Sequence, residues 1–151
     1  MIVRQFLQWV RTAGAAERAE ATAALARAYL YSDLSPDDRA ATEGALIMSL
    51  DDPSPLVRIA LARALAFSED APLVVILGLA GDQAEVAGWV LQHSPLMVDG
   101  DLIDAAAAGD TGMQLAIANR GGLAPAVENA AAAAINCHDL GDIPGSCFPR
   151  S

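Results

Sequence analysis

The sequence predicts an all-α fold, a right-handed α-α superhelix of about four helix pairs, and three observations point to it. Of the 151 residues, 33 are Ala, the best helix former, and the longest β-branched run is Val74 to Ile76. Turn markers recur at Asp51-Asp52, Gly81-Asp82, Gly109-Asp110 and Gly141-Asp142, so the second Asp positions are separated by 30, 28 and 32 residues. That interval is the length of a helix-turn-helix repeat. Between the markers, apolar residues fall at helical spacing. Units of this kind cannot bury their apolar faces alone, so they stack. Residues 1–135 read as one helical-repeat domain, and 136–151 as an irregular tail in place of a complete fourth repeat.

The first helix is expected over 2–12, with Ile2, Val3, Phe6, Leu7 and Val10 on one side and Gly14 as its stop. It reads as a cap over the open end of the stack, because Arg4 and Arg11 are too few to hold an anionic membrane. An Ala-rich helix follows over 15–31, with Leu25, Ala28 and Tyr29 inward. Ser35-Pro36-Asp37-Asp38 then combines an N-cap Ser, a first-turn Pro with φ already set, and acids beside exposed amides. Outer helices are expected at 39–50, 71–80, 101–108 and 125–135, and inner helices at 54–66, 83–93 and 111–119.

The stretch DDPSPLVRIALARALA, 51–66, is the clearest inner helix. Ser54 and Pro55 open it, Val57, Ala60, Leu61, Ala64 and Leu65 share one face, and Arg58, Ala62 and Arg63 lie toward the other. It resembles the second helix of a HEAT repeat. Asp52, Asp70, Asp82, Asp99 and Asp110 read as helix caps, Asp82 with Glu85 as a capping-box variant, and Gly121-Gly122 as the stop of the third inner helix. In that helix Met113, Leu115, Ala116, Ile117 and Ala118 wrap most of the way round, as burial on two sides requires.

Composition narrows the function classes. A chain of this length buries roughly 68–70% of its unfolded surface, enough for a core of its own. Net charge is −10, and the halves differ: residues 1–63 carry seven Arg against eight acids, 64–151 two Arg against eleven. Phosphate-backbone binding draws on clustered Lys and Arg, so no nucleic-acid partner is expected. The absence of Lys removes Schiff-base chemistry and the P-loop lysine. No apolar run is long enough for a membrane span, and the opening MIVRQFLQWVRTAG threads Arg through its apolar face, unlike a signal peptide. Cys137 and Cys147 are the two cysteines, which fits a reducing cytoplasm.

The chemistry-bearing residues form no catalytic set. Cys137, His138 and Cys147 match no standard zinc spacing. Asp99-Gly100-Asp101 with Asp104 lacks the Gly and Glu of a calcium loop and reads as a helix start. His93 shares a helical face with Val86, Trp89 and Val90, and reads as an interior or helix-end histidine rather than a general base. No Ser or Cys nucleophile has a His at recognisable spacing, and there is no glycine-rich phosphate loop, so no catalytic residue, metal or cofactor is expected. The structural or interaction positions are Arg58, Arg63, Asp52, Asp82, Asp110, Gln92, Gln114 and Asn119, with Arg58 expected to pair with Asp51, Asp52 or Asp82 of the next repeat.

Five segments, RAEATAALARAYL (18–30), SDLSPDDRAATEGAL (32–46), DDPSPLVRIALARALAFSEDAP (51–72), SPLMVDGDLIDAAAAGD (94–110) and QLAIANR (114–120), occur in an order and spacing similar to the alphaproteobacterial domain of unknown function 2336 family. The resemblance runs from about Phe6 to Ala134. It implies a HEAT- or armadillo-like solenoid and brings no catalytic residues. The function expected is a non-catalytic protein–protein interaction or regulatory scaffold module with a protein partner. The alternative is a HEAT-like nucleic-acid or DNA-lesion-processing enzyme, which the acidic, Lys-free composition disfavours. After Ile135 the pattern breaks, because IPGSCFPRS carries two Pro and a Gly and cannot form a fourth inner helix. The stripe Val127, Ala130, Ala131, Ala134 and Ile135 then needs a cover, either Leu140, Ile143 and Phe148 folding back or a homodimer through this end.

Overall fold

The structure, a computed structural model, describes residues 2–139. All regular structure among them is helical: α1 (Ile2–Val10), α2 (Ala15–Tyr31), α3 (Pro36–Ser49), α4 (Pro55–Leu65), α5 (Leu73–Ala80), α6 (Ala84–His93), α7 (Asp99–Ala108), α8 (Thr111–Ala118) and α9 (Pro125–Asp139). Every helix expected from the periodicity is present. The last runs to Asp139 rather than 135, and Leu140, Ile143, Cys147 and Phe148 lie outside the described residues.

The even-numbered helices form a row in which α2 packs on α4, α4 on α6 and α6 on α8. Behind them lie the odd-numbered helices, α1 against α3, α3 against α5 and α7 against α9. Leu46, Leu61, Leu65, Ile76, Leu79, Leu91, Leu102 and Ile117 are buried in the core these helices share. Small residues let the rows approach closely. Ala26, Ala62, Ala87 and Ala106 are fully buried, which corrects the outward placement of Ala62: α4 has neighbours on both flanks, so its sides are covered as well as its inward face. Leu115 and Ala118 depart the other way and are exposed. Among the described residues α8 is the last of the even row, and no helix covers that side of it.

The expected Asp caps are also revised. The N-cap residues are Gly14, Ser35, Ser54, Pro72, Gln83, Val98 and Asp110. Of these, Ser35 and Asp110 accept helix amides with their side chains, from Asp38 N at 3.2 Å and Met113 N at 3.0 Å. Asp52 and Asp82 stand ahead of their caps, Asp70 lies in the turn before Pro72, and Asp99 is already inside the first turn of α7. The N-cap of α6 is Gln83 rather than Asp82, which leaves Glu85 at the second helical position and outside a capping box. Asn119 ends α8, and Gly122, at φ +70, makes the turn beyond it. The turn from α7 to α8 needs Gly109, where a Cβ would lie 2.6 Å from the Ala105 carbonyl oxygen.

The stripe on α9 has a cover already. Val127 and Ala131 are buried, Ala130, Ala134 and Ile135 are half-buried, and the helix packs on both α7 and α8. Helices α7 and α8 thus cover Val127 and Ala131, while Ala130, Ala134 and Ile135 keep part of their surface open.

Candidate functional site

Arg18 and Arg58 occupy the same place, the fourth residue of α2 and of α4. Arg18 donates from Nε to Asp52 Oδ2 at 2.9 Å, from Nη2 to Oδ1 at 3.0 Å, and from Nη1 to the Ala13 carbonyl. Arg58 repeats this one step along, from Nε to Asp82 Oδ2 at 2.6 Å, from Nη2 to Oδ1 at 3.3 Å, and from Nη1 to the Asp52 carbonyl. Each fork joins one even helix to the turn before the next. Asp52 and Asp82 also accept the amides of Ser54 and Gln83. Burial disfavours the charged form of Asp52, but Arg18 and the Ser54 amide outweigh it and hold the carboxyl below its ordinary range.

The ladder stops there. The fourth residue of α6 is Ala87, so Asp110 has no Arg facing it from that position and caps its own helix instead. The fourth residue of α8 is Gln114, buried, with Nε2 donating to the Ala106 and Gly109 carbonyls. Arg120 fastens the end of α8 to the end of α6 through the Leu91 and Ser94 carbonyls, and burial lowers its pKa against an opposing pull from Asp99. These residues hold the fold together.

The surface with open side chains lies elsewhere, where α6 meets α8. A groove of about 270 Å³ is lined by Ala84, Glu85, Gly88, Trp89, Gln92, His93 and Ala116. Glu85, Gly88, Trp89 and Gln92 share one face of α6 because residues three and four apart are neighbours on a helix. At the end of α6 the His93 ring stacks on Phe67, with centroids 4.6 Å apart and planes 31° apart, and lies 6.1 Å from Trp89. Phe67 is 63% exposed. Arg63 reaches over from α4 with Cζ 5.2 Å from the Trp89 centroid, a cation–π contact.

Of the positions singled out from sequence, Arg63 and Gln92 meet at this groove. Asp52, Arg58 and Asp82 meet in the ladder, Gln114 is in the core, and Asp110 and Asn119 bound α8. Phe67, Glu85, Gly88 and Trp89 were not among them. Trp89 and His93 share the periodicity of Val86 and Val90, yet those two are fully buried while Trp89 and His93 are half-exposed beside the groove. Among the described residues no group of His, Cys, Asp and Glu is placed to hold a metal ion.

Residues 86–139 match the model of a family described as an uncharacterised protein conserved in bacteria (DUF2336). The match supports that family over α6 to α9. It takes in Gly88, Trp89, Gln92, His93 and Ala116, along with the segments 94–110 and 114–120. It does not extend to 18–30, 32–46 or 51–72, and its description names bacteria without a narrower group. No curated protein and no solved structure matches the chain. No helix among the described residues is long and apolar enough to cross a membrane.

Proposed function

We propose that the protein is a non-catalytic interaction module of the cytoplasm, a right-handed HEAT- or armadillo-like stack that holds a segment of another protein against the exposed side of its even-numbered helices. The observation that carries this reading is the row Phe67, His93 and Trp89 beside an open groove. In a chain only 5% aromatic, two aromatic side chains are spent on one accessible surface, and such residues anchor protein interfaces. Charge on this side argues for protein over nucleic acid. The exposed charged residues of α2, α4 and α6 are Glu17, Glu20, Arg27, Arg63 and Glu85, without a basic cluster.

The test compares the protein with a Phe67→Ser/Trp89→Ala double variant of equal helicity by circular dichroism. Both are used to retain partners from the cells that make the protein. A partner held by the unaltered chain and lost by the variant is the expected result. Equal retention by both would overturn the assignment of this surface.

A further inference from the structure

We propose that the groove over Gly88 receives an arginine or lysine side chain from an extended segment of the partner protein, with the cationic head between the Trp89 ring and the Glu85 carboxylate. This rests on the interaction-module reading and names the chemistry of its partner. Four observations carry it.

Glu85 is exposed and one helical turn from Trp89, so a cation over the indole has a carboxylate within a turn's reach. Gly88 lies between them, and packing does not require it. A Cβ there would meet nothing closer than the Ala116 Cβ at 3.8 Å, an ordinary contact. The missing side chain forms the floor of the groove. Trp89 already holds a guanidinium, that of Arg63, which has no carboxylate within ion-pair distance among the described residues. Arg63 is exposed and can give up the ring to an incoming cation, which gains Glu85 as well. Finally, of the residues lining the groove Glu85 is the one with a formal charge, so the lining itself is negative. The local field favours a cationic visitor.

The test follows Trp89 fluorescence in a Trp9→Phe background, with three short amidated peptides of one Ala/Leu scaffold bearing Arg, Gln or Glu. The Arg peptide is expected to bind at least about tenfold more tightly than the Gln peptide, and to weaken with added salt. Glu85→Gln and Gly88→Ala should each weaken it about tenfold, the second by filling the floor while leaving the helix intact. Arg63→Ala should leave binding unchanged or tighten it by removing the competing cation.

Preference for the Glu peptide, lost in Arg63→Ala, would make this an anion site and overturn the proposal. Equal binding of the Arg and Gln peptides, weakened alike by Gly88→Ala, would remove the cation and leave the interaction module standing. Full binding by Gly88→Ala would place the contact outside the groove. If none of the three peptides perturbs Trp89, the proposal falls, while the module reading is still judged by the partner-retention comparison.

Discussion

Arg58 makes three hydrogen bonds to two successive turns, so a single guanidinium ties α4 to the Asp52 backbone behind it and to the Asp82 carboxylate ahead. Its side chain is only 16% exposed. Truncation strips a partly buried carboxylate of its fork, and Arg58→Ala should cost about 1–3 kcal/mol. A urea midpoint unchanged by the substitution would show that the ladder holds nothing. Asp52 adds a pH dependence of definite sign. Its folded pKa lies below its ordinary value, so the unfolded chain takes up this proton first as pH falls. The stabilisation is present above about pH 4 and is lost as pH drops through the folded pKa. Asp52→Asn should lower the thermal midpoint at neutral pH and flatten its decline below about pH 4. Parallel curves for the two proteins would mean that Asp52 is not the group responsible.

Helix α6 holds the clearest contrast between packing and purpose. Gly in a helix interior is destabilising by roughly 0.5–1 kcal/mol relative to Ala, and Gly88 is interior with room for a methyl group. Gly88→Ala should therefore stabilise the protein by an amount of that order, read as a higher urea midpoint. Gly109→Ala should lower it, because there the new Cβ meets the Ala105 carbonyl and the Met113 side chain. The existence and order of the helices were readable in the sequence because their signals are local. Ser35-Pro36 and Ser54-Pro55 open α3 and α4 as expected, and α2 spans the 15–31 read from its Ala periodicity. The Asp roles were readable in part: Arg58 pairs with Asp82, one of the three acids expected, and Asp110 caps α8 as expected, but a turn Asp ahead of a helix caps it or receives an Arg according to the fourth residue of the preceding even helix. Arg58 draws Asp82 away from α6, while Ala87 leaves Asp110 to α8. The groove was hidden for a related reason. Phe67 and His93 are far apart in sequence and meet only once α4 lies beside α6, and helical periodicity alone groups Trp89 with the core residues Val86 and Val90.

Across the whole molecule, the same ladder explains where charge is left over. The two Arg–Asp forks join α2, α4 and the start of α6, and both of their Arg come from the half whose Arg and acids nearly balance. Beyond Ala64 the acids have few cations to meet, with two Arg against eleven acids through Ser151, and Arg120 spends its donors on carbonyls. The net charge is therefore negative and most one-sided in residues 64–119, the stretch that supplies the lining of the groove. A phosphate backbone gains affinity by releasing counterions to Lys and Arg, and no such cluster is exposed on the even helices. The protein should pass through heparin and duplex DNA columns at physiological salt, and bind an anion exchanger from which salt elutes it. The Arg peptide should lose affinity over the same salt range if this field helps to bring it in. Retention on DNA that salt reverses would instead require a basic surface, and would turn the reading of this molecule from a holder of protein segments to a nucleic-acid protein.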